Sequence, residues 1–188
     1  MVKEFLKKFW NFIWHEDSIW SWLANLVLAF LLVKFIIYPL IGAFLGTGFP
    51  LVAVVSSSME HNQGFNDWWN ENKEFYEAKN ITLENFEKFN FKNGFNKGDI
   101  MVLKGVQPKD IKIGDVVVYE NTFNKNPIIH RVVEIRKEDR YYFTTKGDNN
   151  YGEDPSEVTE DQIKNTGKAI FRLPLLGWVK ILFMGITG

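Results

Sequence analysis

The chain has 188 residues, 46% of them hydrophobic, and its 22 Lys and Arg against 23 Asp and Glu leave a net charge of −1. That length suits one medium-sized domain plus an appendage, and the composition excludes a disordered or collagen-like polymer. The absence of cysteine excludes disulfide scaffolds, Cys-ligated zinc, iron–sulfur clusters and thiol nucleophiles, and the near-neutral balance argues against a nucleic-acid binder.

Charge is unevenly spread along the chain. Between Ser18 and Ser58 the only charged side chain is Lys34. Roughly 20 apolar residues rising about 1.5 Å each cross a hydrocarbon layer of ~30 Å, so the run from about Trp20 to Leu45 predicts a transmembrane anchor within residues 18–46. Lys34 interrupts the run, and its long stem can snorkel toward a headgroup or face a partner helix. A cleaved signal peptide fits less well, because the apolar run is long and no clear small-residue cleavage site follows. Lys3, Lys7 and Lys8 precede the span, whereas no Lys or Arg occurs from Gly46 to Asn72. By the positive-inside rule, residues 1–17 stay cytoplasmic and the remainder is translocated. Trp10, Trp14, Trp20 and Trp22 then fall in the inner interfacial belt, and KEFLKKFWNFIW reads as an amphipathic helix lying on the surface.

After the anchor, Leu51 to Val55 reads as a short buried strand running into Ser56-Ser57-Ser58-Met59. Residues 61–97 then hold nine Asn and nine aromatics, too aromatic for a linker, and read as an inserted lobe. Within it, NITLENFEKFN predicts a short helix with Thr82 as N-cap and Asn85 in the third position. The runs GDIMVLKGV, GDVVVYEN, PIIHRVVEI and RYYFTTKGD predict strands, with the Gly98-Asp99 and Gly114-Asp115 entries as turns. The last stretch, 173–188, is apolar but short for a span, so it is expected to skim the membrane or dock on the core.

A nucleophile must therefore come from Ser, Thr, Lys or a carboxylate, and a hydroxyl needs a base to accept its proton. Ser58 sits at the exit of a strand, on a rigid frame. His15 lies before the span; His61 is three residues from Ser58; His130 is on a strand pattern that puts it on one face with Val132. Asp148, in the Gly-Asp-Asn-Asn turn, and Asp154 are candidate acceptors to fix an imidazole tautomer.

In order and company, these elements resemble type I signal peptidases of the archaeal and endoplasmic-reticulum branch. The matching stretches are VVSSSME, KGDIMVLKG, KIGDVVVYE, IIHRVVEI and TTKGDNN; the bacterial branch carries Lys where His130 stands. The resemblance spans the anchor and most of 50–60 and 95–180, and it does not reach the 61–97 lobe. It implies Ser58 as nucleophile, His130 as general base, Asp148 as the carboxylate paired with His130, and Asp154 as a second acidic residue near the site. It also implies an oxyanion hole made by the Ser56 hydroxyl and the Ser58 backbone N–H. His61 stands where relatives usually have Pro, which keeps it open as an alternative base; Lys146 is a further candidate by analogy with a Ser/Lys mechanism.

The resulting expectation is a mainly β protein: an antiparallel, partly barrel-like serine peptidase domain (47–60 and 98–172) behind an N-terminal transmembrane helix, with the inserted lobe. It would remove signal peptides from translocated preproteins through an acyl-enzyme, cutting after small residues at −1 and −3, with no metal or organic cofactor. Its expected partners are preprotein signal peptides, the lipid bilayer and accessory subunits or translocation machinery. The cell membrane or the endoplasmic-reticulum membrane is its expected place, with the catalytic domain on the outer or luminal side. The rival reading is a non-catalytic, membrane-tethered β domain that binds partners.

Overall fold

The computed structural model describes residues 1–121, 124–178 and 181–182. The chain divides into two compact units, Met1–Phe44 and Leu45–Gly188.

In the first unit, α1 (Val2–His15) and α2 (Ile19–Leu32) are joined by a short link in which Ser18 caps α2 by accepting from the Ser21 N–H at 3.2 Å. The Ser21 hydroxyl donates to the Phe12 carbonyl (2.6 Å) and the Asn25 amide to the Ile13 carbonyl (2.9 Å), which satisfies carbonyls that the end of α1 would leave orphaned. A π-helical turn, Val33–Ile37, leads into α3 (Tyr38–Leu45). Together Ile19–Leu45 forms one helix of 27 residues, about 40 Å at about 1.5 Å per residue. Among the described residues, it is the one helix long and apolar enough to cross a membrane, and its large apolar side chains are exposed. Lys34, in the π-helical turn, lies over the rings of Phe30 and Phe35 at 5.6 and 5.4 Å; such contacts reduce the cost of a cation in an apolar run.

Among the described residues, the second unit is built on seven strands: β1 (Leu51–Ala53), β2 (Ile100–Lys104), β3 (Val116–Asn121), β4 (Asn124–Lys137), β5 (Tyr141–Lys146), β6 (Val158–Thr159) and β7 (Gly167–Leu173). They form a single antiparallel sheet in the order β1-β2-β7-β3-β4-β5-β6. The sheet is open, with β1 and β6 at its edges. Period-two alternation sorts the side chains onto its faces. Val116, Val118 and Ile129 join Val54, Met59, Met101 and Leu103 in one cluster, while Val117, Tyr119, Val132 and Phe143 join Val158 and Ile163 in another. The expected buried strand 51–55 is instead a three-residue edge strand. Val54 is buried, but Leu51 and Val55 are each 36% exposed, because β1 has a neighbour on one side only.

The expected turns form as read. Gly98 and Gly114 adopt φ of 92° and 91°, and the following carboxylates accept backbone N–H groups of Asn96 and Lys112 at 2.9 Å. The central strand β7 is an addition to the sequence reading. Residues 179, 180 and 183–188, half of the apolar C-terminal stretch 173–188, lie outside the described residues.

The inserted segment leaves the domain at Met59 and returns at Phe95, whose N–H donates to the Met59 carbonyl (3.0 Å). It carries α4 (Phe65–Ala78) and α5 (Leu83–Phe86). Thr82 caps α5 in a reciprocal box with Asn85, as its sequence predicts. Trp68, Trp69, Tyr76, Ile81 and Phe86 pack together with Val133 of β4 into a third buried cluster.

Candidate active site

Consecutive strand residues point to opposite faces, and β4 exploits this at His130 and Arg131. His130 pairs with Val117 of β3 and shares the face of Val132 and Tyr119; Arg131 pairs with Val116 and with Lys146 of β5 on the other face.

On the first face, His130 Nε2 lies 3.0 Å from Ser58 Oγ, and His130 Nδ1 lies 2.7 Å from Asp154 Oδ2. The carboxylate only accepts, so Nδ1 carries the proton and donates it, which leaves the Nε2 lone pair facing the Ser58 hydroxyl. Asp154 Oδ2 also accepts from the Thr145 hydroxyl at 2.6 Å and the Tyr119 hydroxyl at 2.9 Å. Burial alone would raise the Asp154 pKa, but the hydrogen bond and charge of His130 and the two hydroxyls hold it below the ordinary carboxylate value. Burial also pushes the Tyr119 phenol up, so it stays a donor. Ser58 is half-buried and His130 is 7% exposed. The Ser56 hydroxyl lies 3.1 Å from Ser58 Oγ.

The turn after β5 holds the other side of this group. Asn149 donates its backbone N–H to the Ser58 carbonyl (2.8 Å) and its amide to the Ser57 carbonyl (3.1 Å), while the Asp148 N–H reaches Met59 Sδ (3.4 Å). Gly147 packs so closely that a Cβ there would stand 2.8 Å from His130 Nε2 and 2.8 Å from the Ser58 carbonyl oxygen. Only hydrogen fits.

Asp148 is placed differently from the sequence expectation. Its carboxylate does not pair with His130, both of whose ring nitrogens are engaged by Asp154 and Ser58. Fully buried on the opposite face, it accepts from Arg131 Nε (2.9 Å) and Nη2 (2.7 Å), His61 Nε2 (3.1 Å) and the Tyr76 hydroxyl (3.1 Å). Burial would raise the Asp148 pKa, but the Arg131 charge and these donors drive it well below the ordinary range. The three remaining Arg131 N–H groups go to the carbonyls of Asn90, Gly114 and Phe91, so all five donors of the guanidinium are used. The physical reason is register: the residue next to His130 points away from the site and takes its counter-ion with it.

The other two base candidates also face away from Ser58. His61 stacks on Trp68 with ring centroids 3.7 Å apart and gives its Nε2 to Asp148. Lys146 donates to the Gly147 and Asp148 carbonyls at 3.1 Å and lies over the rings of Phe75 and Tyr76. Burial depresses its pKa to about 8. Thr145 and Tyr119, which hold Asp154, were missed in the sequence; the alternation of β5, placing Thr145 opposite Val132, was the available signal.

A hydroxyl, an imidazole and a carboxylate in series form the arrangement that serine hydrolases use to activate a nucleophile. No protein-family profile matches the chain. Among curated proteins, it is similar to the signal peptidase complex catalytic subunit SEC11 of Eremothecium gossypii, 41% identical over 98 residues, which make up 47% of this chain and 57% of that protein. The SEC11 subunit of Scheffersomyces stipitis is 36% identical over 95 residues (47% and 57%), and human SEC11C is 33% identical over 95 residues (47% and 50%). The chain thus spans about half the length of the curated relatives it matches. The resemblance to type I signal peptidases seen in the motifs is also a resemblance to named members of that group.

Proposed function

We propose that the protein is a membrane-bound serine endopeptidase that removes signal peptides from translocated preproteins. The observation that carries this reading is the series Ser58 Oγ, His130 Nε2, His130 Nδ1, Asp154 Oδ2, at 3.0 and 2.7 Å. Ser58 attacks the scissile carbonyl while His130 takes the hydroxyl proton. Asp154 keeps the imidazole in the required tautomer and stabilises the imidazolium. As the tetrahedral intermediate collapses, His130 returns the proton to the leaving amine, and the Ser58 acyl-enzyme remains. A water then gives a proton to His130 and attacks the acyl carbon, and as this second intermediate collapses His130 passes the proton to Ser58 Oγ, releasing the second product. The Ser58 N–H and the Ser56 hydroxyl supply the donors for the oxyanion; one such donor is worth ~3–4 kcal/mol in comparable acyl-transfer sites.

The substrate segment lies extended beside the free edge of β1, by strand addition, so that its scissile bond reaches Ser58 just beyond that strand. A preference for small side chains at −1 and −3 belongs to the same reading. The exposed Phe49, Leu51, Val55 and Phe171 support a peptidase face held against lipid, close to where a signal peptide leaves the bilayer. The apolar helix Ile19–Leu45 anchors the chain, and Lys3, Lys7 and Lys8 keep the N-terminus cytoplasmic, with the β domain on the outer or luminal side. The relatives, named as catalytic subunits of a signal peptidase complex, support accessory subunits as partners.

Processing of a radiolabelled preprotein by purified protein in detergent tests the reading. Ser58→Ala and His130→Ala are expected to lose cleavage by at least about 10³-fold with unchanged circular dichroism. A Ser58→Ala protein that still cleaves would overturn it.

A further inference from the structure

Residues 61–96 lie outside the stretches that resemble signal peptidases, yet three of their side chains, those of His61, Trp68 and Tyr76, end on one residue, Asp148. His61 Nε2 and the Tyr76 hydroxyl hold its carboxylate, and Trp68 Nε1 donates to its backbone carbonyl at 3.0 Å. His61 is kept in this place at a cost, because its Nδ1 is buried with no hydrogen-bond partner among the described residues. The aromatic surface of the lobe also covers the two cations beneath it. Arg131 lies 4.8 Å from the Phe86 ring centroid, and Lys146 lies 5.2 and 5.3 Å from Phe75 and Tyr76. The lobe therefore seals Asp148, Arg131 and Lys146 from water on the face of β4 and β5 opposite His130.

From Asp148 a short run of contacts leads to the nucleophile. The next residue, Asn149, holds the carbonyls of Ser57 and Ser58, and the preceding one, Gly147, abuts His130 Nε2. Each link in this run is a hydrogen bond to the backbone or a close packing contact. We propose that the lobe is an internal brace, in which His61 and Tyr76 are positioning residues that fix the Gly147–Asn150 turn and thereby the alignment of Ser58 with His130. This rests on the hydrolytic reading above for its consequence in turnover, but the brace itself is a statement about geometry.

The test compares His61→Leu, His61→Gln and Tyr76→Phe with the wild type in detergent. His61→Gln can still offer an amide N–H to Asp148, and Tyr76→Phe deletes one hydroxyl while keeping the ring. Preprotein cleavage is read as kcat and KM. The 15N shifts of the His130 imidazole are read without substrate, in a chain whose three histidines give a simple spectrum. His61→Leu is expected to lower kcat on the order of 10²-fold, the cost of misplacing a catalytic group by about 1 Å, with KM unchanged and the His130 signals displaced. His61→Gln recovers most of that loss, and Tyr76→Phe lowers kcat with an intact melting transition, so a His61→Leu protein that merely unfolds does not decide the matter. A folded His61→Leu or Tyr76→Phe protein with wild-type kcat and unmoved His130 signals overturns the brace, as does a rise in KM alone. If the wild type itself fails to cleave, the peptidase reading falls, while the His130 signals of the variants still decide the brace.

Discussion

Replacing Gly147 by Ala adds one methyl group at the most crowded point of the site. The φ of Gly147 lies outside the left-handed region, so the change acts by crowding rather than by backbone strain. The new Cβ would stand 2.8 Å from His130 Nε2, 2.8 Å from the Ser58 carbonyl oxygen and 2.7 Å from the Asn150 amide nitrogen, where ordinary contact begins at 3.4 Å. The Asn150 side chain can swing away. The imidazole and the carbonyl have no such freedom, because His130 Nδ1 is tied to Asp154 and the Ser58 carbonyl to the Asn149 N–H. One of them must retreat by about 0.6 Å or more to restore contact distance. A displacement of that size, in a pair that must meet at 3.0 Å, is expected to cut kcat by ~10- to 100-fold, while overpacking lowers stability by ~1–3 kcal/mol. Single-turnover preprotein cleavage, with chemical denaturation of the same samples, measures both. Wild-type turnover by a Gly147→Ala protein would refute the claim that this turn sets the spacing of the dyad.

The two aspartates should separate by phenotype. Asp154→Asn keeps the shape but cannot hold His130 in the required tautomer, so kcat falls on the order of 10³–10⁴-fold with little change in melting temperature. Asp148→Asn leaves the buried Arg131 without its counter-ion and should lower unfolding free energy by ~3–5 kcal/mol, read by denaturation. Lys146 gives a pH signature. Its folded pKa of about 8 lies below the usual 10.5, so between those values the unfolded chain binds more protons and stability rises with pH. From pH 8 to about pH 9.5, before free tyrosines ionise, the gain is roughly 1.5 kcal/mol, and Lys146→Met should abolish it in denaturant titrations at the two pH values.

The pairing of Ser58 with His130 could be read from the order of motifs that resembles signal peptidases, each residue by itself being only a strand exit or a strand face. The choice between Asp148 and Asp154 could not. Both follow β5 within a few residues, and what decides is that Arg131, next to His130, claims one of them on the far face. The helix α4 was legible in retrospect, since Phe65, Trp68, Trp69 and Tyr76 recur at helical spacing and share one cluster. Asn and acidic residues between them masked that stripe. Strand β7 was passed over because its last residues, Phe171 to Leu173, run straight into the apolar C-terminal stretch. Its place in mid-sheet, between β2 and β3, depends on pairings that no local window contains.

The back-to-back placement of His130 and Arg131 makes the β3–β4 ladder a reading frame. Shifting β4 by a single step would turn the Arg131 guanidinium toward Ser58 and maroon the imidazole beneath the tryptophans, because every side chain of the strand changes face together. On the proposed reading, a chain mispaired in this way is inert however compact it is. Assembly of this protein therefore has to be judged by alignment as well as by compactness.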